Sequence, residues 1–372
     1  MNVLFFTNTP AHAHLYRNAV HRLRERGHDV CVLARDYTCT LDLLEYHDVA
    51  YQCFGYLGTS KRSLAANLPK HYVNALRLVR RFDPDLVFGM GGYAAHTGAL
   101  TGTPSVLVLD SEPTRVDHAI SRPFARTILT PNTFRKDLGE RHHVFQGLKE
   151  CAYLHPDVYE PDSSVREELE VGSDEPYAIV RLNAFGSQHD VGKQGITGDD
   201  RRRVIEHLAD HATVLVSDEG GDADLEGLPA DPFDLHPARL HDALAEADLL
   251  VADTQTMVTE AAILGTPAIR SNSWVGDDDM GNFLELESRG LIDNVTTTEE
   301  ITARATTLLT DDGVADTWQR RRESFLAETV NLTDVLVDVA LARGRVDDLE
   351  SVSQYGQAVR QDSPSSVGIG GD

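Results

Sequence analysis

Two doubly wound α/β units facing each other across a cleft are the fold class this sequence predicts, and three observations carry it. The length of 372 residues exceeds what one hydrophobic core usually supports. Short apolar runs alternate with helical stretches through both halves, the pattern of parallel sheets covered by helices. A Pro-bearing break near Tyr153 to Pro161 separates the halves. The first unit opens with a strand at Asn2 to Thr7, a helix from about His14 to Gly27, and a strand at Asp29 to Ala34. Strands follow at Val49 to Phe54, Asp85 to Met90, Ser105 to Asp110 and Thr127 to Thr130, with helices at Ser63 to Arg81 and Ala94 to Thr101. The second unit starts at Tyr177 to Arg181 and continues through strands at Thr213 to Ser217, Leu249 to Ala252 and Ala268 to Arg270. Its helices are Asp200 to Ala209, Pro237 to Ala247 and Thr256 to Leu264. Helices at Glu299 to Leu309, Trp318 to Glu328 and Leu332 to Ala342 close the fold. The expected domains are 1–155 and 165–330, with a closing helix over 331–343. A Ser/Gly/Asp-rich tail over 344–372 is expected to be disordered.

Charge narrows the partners. Thirty-four basic residues against 59 acidic ones leave a net charge of -25, and only five of the basic residues are lysines. Such a surface repels a phosphate backbone at long range, so no nucleic-acid partner is expected. Acid-rich, lysine-poor composition resembles that of proteins from organisms with molar salt in the cytosol, where the field is screened. The four cysteines, Cys31, Cys39, Cys53 and Cys151, show no C-x-x-C spacing and read as reduced thiols. The longest apolar runs are strand-sized, so an integral membrane protein is not expected. Val3 to Phe6 is too short for a secretory apolar core, which points to a cytoplasmic address.

A dinucleotide fold would place G-x-G-x-x-G after the first strand, yet that loop reads Thr7-Asn-Thr-Pro-Ala-His12-Ala-His14 without a glycine. No G-x-x-x-x-G-K-S/T stretch occurs either. The informative segment runs from Asp248 to Arg270. Asp248 to Ala252 is a strand, Thr254, Gln255 and Thr256 offer caps for the next helix, and Gly265 with Pro267 stops it. Unpaired N–H groups at that helix start attract a diphosphate, and Glu260, one turn in, suits two vicinal ribose hydroxyls. Taken alone, a solvated helix face explains Glu260 as well.

These residues resemble the GT-B superfamily, the two-domain Rossmann-like fold of nucleotide-sugar glycosyltransferases and UDP-N-acetylglucosamine 2-epimerases, over roughly residues 1–310. Thr7 to Leu23 with His12, and Gly27-His28-Asp29-Val30, are similar to the first loop and helix of MurG-type N-acetylglucosaminyltransferases, although the glycines of that loop are missing. Asp85-Leu-Val-Phe-Gly-Met-Gly-Gly-Tyr93 resembles that family's second glycine loop, where Gly91 and Gly92 admit a ligand near the backbone. Leu240 to Pro267 resembles the donor-nucleotide element, in which the glutamate matching Glu260 binds ribose. The resemblance implies a nucleotide-sugar donor, UDP-linked, with no cofactor and no metal. The epimerases also need an acid/base set around the sugar. Glu112, in Asp110-Ser-Glu112, falls where they place a glutamate. Arg122 and Pro123 stand where a second is expected, and Arg181 to Gly186 lacks their histidine, which leaves His189 as a substitute.

For a transferase, an acceptor hydroxyl displaces the diphosphate at the anomeric carbon, which needs a base and positive charge for the leaving group. His12 is the first base candidate, ahead of Asp110 and Glu112, though a solvent-facing or capping histidine is nearly as good an account of it. Arg181, Lys193 and Arg270 are candidates for the diphosphate. The glycine-rich stretch Asn183 to Gly195, with His189 and Asp190, suits a loop around the phosphates or the sugar. Neither that pair nor His12-Ala-His14 amounts to a metal set, and Asp277-Asp278-Asp279 reads as a solvated loop. Asn282 is a possible sugar contact. The expectation is a glycosyltransferase in surface glycan or glycolipid synthesis, taking a sugar or lipid-linked acceptor, with a possible homodimer. An epimerase is the enzymatic alternative and a non-catalytic nucleotide-sugar-binding protein the other.

Overall fold

The computed structural model describes residues 1–56, 61–182, 195–196, 198–219, 224–276 and 279–357, with only the backbone of 61–66. Its first half alternates β1 (Asn2–Thr7), α1 (Pro10–Glu25), β2 (Asp29–Asp36), α2 (Thr40–Tyr46), β3 (Tyr51–Tyr56), α3 (Lys61–Phe82), β4 (Leu86–Gly89) and α4 (Gly92–Thr101). It goes on through β5 (Ser105–Val108), α5 (Arg115–Ser121), β6 (Thr127–Pro131) and β7 (His142–Phe145). After a linker come α6 (Val165–Glu168), β8 (Tyr177–Leu182), α7 (Gly198–Ala209), β9 (Thr213–Asp218), β10 (Asp231–Pro232), α8 (Leu240–Ala245), β11 (Leu249–Ala252) and α9 (Thr256–Leu264). The rest is β12 (Ala268–Arg270), α10 (Gly281–Ser288), β13 (Asp293–Asn294), α11 (Thr298–Thr310), α12 (Val314–Leu326), α13 (Leu332–Leu341) and β14 (Val352–Gln354).

Two sheets result. One runs β14-β7-β6-β5-β4-β1-β2-β3 and is parallel except where β14 joins β7. The other runs β10-β9-β8-β11-β12-β13, with parallel pairs throughout. Their central strands are continuous apolar runs because helices cover both faces. Val3 to Phe6 and Leu249 to Ala252 are all completely buried.

The helices obey local chemistry with two departures from expectation. Helix α1 starts four residues before His14 because Pro10, with its fixed φ and missing N–H, suits a first turn. The helix expected over Pro237 to Ala247 is instead a 3₁₀ turn, Pro237–Arg239, followed by α8. Helix α9 has the expected bounds and ends on Gly265 in the left-handed region at φ 89°.

The expected disordered tail needs correcting over its first part. Residues 344–357 are ordered: β14 pairs antiparallel with β7, and the Tyr355 ring stacks on His142 at 4.4 Å. Thr127 Oγ1 donates to the Gly344 carbonyl at 2.6 Å. Before that, α13 packs on α1, and the Thr333 hydroxyl and Asn18 amide both donate to the Ala152 carbonyl, at 2.6 and 3.0 Å. The chain therefore crosses between the halves twice, and its end completes the first sheet. Residues 358–372 lie outside the described residues.

Candidate functional site

In each sheet the strand order reverses beside the first strand. Chain order runs outward from β1 through β2 to β3, then resumes on the other side with β4; the same happens at β8 and β11. In doubly wound sheets ligands bind outside the carboxyl ends of the strands at such reversal points, which here are the ends of β1, β4, β8 and β11. Thr7 and Asn8 end β1, Gly91 follows β4, Arg181 lies near the end of β8, and Asp253 to Gln255 follow β11.

Among the described residues, Thr7 Oγ1, Asn8 Oδ1 and Thr254 Oγ1 at these ends are buried polar atoms without a hydrogen-bond partner, as are Glu112 Oε2, after β5, and Asn282 Oδ1, in the first turn of α10. An unpaired buried hydroxyl or amide costs about 1–3 kcal/mol, so such atoms mark places where a partner binds. At α9 the expected side-chain cap is missing: Gln255 is the N-cap residue in helical conformation, makes no capping bond, and Thr256 begins the helix. The Gln255 side chain thus leaves the first-turn N–H groups uncapped, and the positive end of the helix dipole lies at the carboxyl end of β11.

Gly91 and Gly92 form the turn from β4 into α4. Gly91 sits at φ 122°, and a Cβ there would meet the Asp117 carboxylate at 2.4 Å, so only glycine fits. Gly92 starts α4, and a Cβ on it would meet the Tyr72 hydroxyl at 3.1 Å.

Glu260 is 4% exposed. Its Oε1 accepts from the Tyr153 hydroxyl at 2.8 Å and from His241 Nε2 at 3.1 Å. Its Oε2 makes no hydrogen bond to the described residues and is the atom left for ligand hydroxyls. His14 of α1 stacks on Tyr153 at 5.3 Å and meets His241 edge-on at 4.6 Å, so the first domain, the linker and α8 converge on this carboxylate. Neither Tyr153 nor His241 carries a sequence signal of its own. Their proximity to Glu260 arises from tertiary packing.

The expected base needs revising. The Asn8 N–H donates to His12 Nδ1 at 3.2 Å, so neutral His12 carries its proton on Nε2. Burial, then the Lys149 and Arg35 charges, lowers its pKa to about 3. His12 is therefore a neutral hydrogen-bond donor at ordinary pH, and a poor base. Beside it, Asp110 pairs with Lys149, whose Nζ also lies 3.5 Å from Glu150 Oε1. Burial opposes the Lys149 charge, but these carboxylates outweigh it and raise its pKa. Burial pushes Glu150 up to about 7 against the pull of Lys149. Lys149 and Glu150 were invisible in the sequence, where they belong to no motif.

Glu112 ties the domains together. Its Oε1 accepts the N–H of Arg135 at 3.2 Å and of Gly281, the first residue of α10, at 3.1 Å. Burial raises its pKa, ahead of the backbone bonds that lower it. The contact is so close that a Cβ on Gly281 would fall 1.8 Å from the Thr133 carbonyl oxygen.

Two expected diphosphate cations are otherwise engaged. Arg270 is completely buried, pairs with the equally buried Asp279, and lies 3.7 Å over the Phe283 ring. Its Nε and Nη1 are buried without a hydrogen-bond partner among the described residues. Arg181 donates to Ser217 Oγ at 2.7 Å and pairs with Glu219. His189 and Lys193, and with them most of the glycine-rich stretch, lie outside the described residues, as do Asp277 and Asp278.

Sequence comparison with curated proteins finds no match. The model of the family described as "Protein of unknown function (DUF354)" matches residues 3–340, and the chain belongs to that family. Among solved structures, the chain is similar to UDP-GlcNAc 2-epimerase from Neisseria meningitidis bound to UDP-GlcNAc, at 12% identity and a TM-score of 0.63, covering 92% of this chain and 100% of that one. It is similar to spinosyn forosaminyltransferase SpnP at 13% identity and a TM-score of 0.65, covering 93% and 100%. MurG from Acinetobacter baumannii follows the same path at 19% identity and a TM-score of 0.54, covering 92% and 100%. The fold is accordingly GT-B: two Rossmann-like domains, as the sequence predicts.

Proposed function

We propose that this member of the DUF354 family is a metal-independent glycosyltransferase that takes a nucleotide sugar, UDP-linked, and passes the sugar to an acceptor hydroxyl. The observation that supports it best is the set of unsatisfied groups at the reversal points: the uncapped start of α9 with Thr254 Oγ1 on one side, Thr7 Oγ1 and Asn8 Oδ1 on the other. A diphosphate at α9 answers the free N–H groups, and Glu260 Oε2, one turn on, receives ribose hydroxyls. The acceptor oxygen bonds to the anomeric carbon as the bond from that carbon to the phosphate oxygen breaks, and the leaving diphosphate takes the electron pair. The acceptor proton passes to Asp110, oriented by Lys149, while His12 Nε2–H donates a hydrogen bond to the sugar or acceptor. Surface glycan or glycolipid synthesis supplies a sugar or lipid-linked acceptor. Among the described residues no helix is long and apolar enough to cross a membrane.

Glu112 favours a second reading, 2-epimerisation of the donor. It follows β5, carries a raised pKa, and leaves Oε2 unpaired, so it suits a general acid. Against that, Arg122 and Pro123 lie in a 3₁₀ turn where a partner carboxylate is expected.

A thermal-shift panel of nucleoside diphosphates and their sugars in molar salt tests the donor. A ligand at ~100 times its Kd stabilises by about 2.7 kcal/mol. Glu260→Ala and Thr254→Val are expected to abolish that shift, and a panel without any response rejects the reading. Incubation with the donor alone separates the chemistries, since only an epimerase releases an epimer or free sugar with UDP. Donor binding without turnover of any donor, alone or with an acceptor, supports a non-catalytic binding protein.

A further inference from the structure

We propose that the pocket between α1, α2 and α8 is a second binding site, for a small molecule bearing a phosphate or carboxylate group, and that its ligand bridges the two domains. It stands independently of the donor reading. The pocket has a volume of about 250 Å³, and Arg17, Asn18, His21, His47, Ala238 and His241 are among its lining residues.

Arg17 is the reason. It is 7% exposed and forms no ion pair with any carboxylate among the described residues. Its Nη1 donates to His14 Nδ1 at 3.2 Å and to His47 Nε2, while Nε and Nη2 have no hydrogen-bond partner among the described residues. A guanidinium only donates, so both imidazoles present lone pairs to it and are neutral. Burial and the Arg17 charge together lower the His47 pKa to about 3. Two neutral rings therefore surround a buried positive charge without cancelling it.

The acids nearby, Asp242 and Glu260, act on Arg17 only through space and form no ion pair with it among the described residues. Asp242 lines the pocket, but its oxygens accept from Arg239 at 2.6 Å and from the Tyr159 hydroxyl at 2.5 Å. Glu260 lies behind His241 and receives its Nε2. His241 Nδ1 is buried without a partner, a free position for a ligand hydroxyl or for a protonated oxygen of the anion. The Asn18 amide is held by the Ala152 carbonyl at 3.0 Å, which leaves its side-chain oxygen for a ligand donor. A buried charge without a counter-ion is costly, and a ligand anion removes that cost. Arg17 and His47 belong to the first domain, Ala238 and His241 to the second, so one occupant contacts both.

The test uses inorganic phosphate as probe, titrated at constant potassium chloride and read by thermal denaturation and calorimetry. Wild-type protein should gain Tm with phosphate. Arg17→Met should melt at least as high as wild type without phosphate and lose affinity by about tenfold or more, the loss expected for one charge-assisted hydrogen bond. Ala238→Phe fills the pocket while keeping the charge, and should also lose the response; it decides the matter if Arg17→Met fails to fold. Thr254→Val should keep it. Full response in both Arg17→Met and Ala238→Phe overturns the proposal. A response lost only in Thr254→Val places the anion at α9, which also overturns it and leaves the donor reading intact. Retained phosphate response with no response to any nucleotide sugar supports this pocket and rejects the donor reading. A final competition separates the sources: a nucleotide sugar that displaces phosphate from wild type, with no phosphate bound in Thr254→Val, reports a shared anion at α9 and sinks the second site.

Discussion

Tyr153 of the interdomain linker donates its hydroxyl to Glu260 Oε1 at 2.8 Å, so the carboxylate expected to hold a ribose is positioned by the segment that joins the domains. A hydrogen bond to a buried charged group contributes about 1.5–3 kcal/mol. Tyr153→Phe should lower stability by that amount, since the ring still stacks on His14, and should weaken nucleotide binding by a separate factor. Urea denaturation with and without donor checks it. Unchanged stability rules out the bond as a source of order at Glu260.

Glu150 predicts a pH dependence. Its folded pKa of about 7 lies above the ordinary glutamate value of 4.5, so the folded state holds the proton more tightly than the unfolded chain. The stability this contributes is fully present below 4.5 and is lost as pH rises through 7, by up to about 3 kcal/mol. Glu150→Gln keeps a neutral, isosteric group at every pH. Its stability relative to wild type should therefore climb between pH 5 and about 8, as measured by melting curves in constant salt. A flat difference across that range contradicts the shift.

The Arg270–Asp279 pair should behave as a buried structural pair. Asp279→Asn leaves a buried guanidinium without its counter-charge and is expected to cost about 3–5 kcal/mol. The double replacement Arg270→Met with Asp279→Leu should recover most of that loss. If the recovered protein still binds its nucleotide, Arg270 has no part in holding the diphosphate. Loss of binding in a stable double variant restores it to the site.

His12 should give no titration near neutrality. With a pKa of about 3 and Nδ1 occupied, its ¹⁵N signals should show the Nε2–H form down to about pH 4. His12→Gln, which can present an N–H near the Nε2 position, should retain more activity than His12→Phe. Equal loss in both variants, or an imidazolium signal at pH 6, defeats the donor role.

Much of the architecture was legible because buried parallel strands write themselves as uninterrupted apolar runs. Leu249 to Ala252, Thr256 to Leu264 and Ala268 to Arg270 have the bounds the sequence suggests. Three-residue β14 was not legible, for its pairing depends on the free edge of β7 rather than on its own pattern. In the candidate site, the helix start before Glu260 was legible, and its bounds are those the sequence suggests. Tyr153, 107 residues away, and His241, 19 away, were not, because only domain packing brings them to it. The Arg270–Asp279 pair was not legible, because the end of a strand does not show which way a side chain turns.

Helix α13 and strand β14, supplied by the last described stretch of chain, complete a sheet begun by the first residues. During synthesis the early lobe emerges with one β-edge and one flank of α1 uncovered, and it stays so until the later lobe has been translated. Assembly is therefore not strictly vectorial: the amino-terminal half waits for the carboxyl-terminal one, and a fragment cut at the linker leaves an apolar flank open to aggregation.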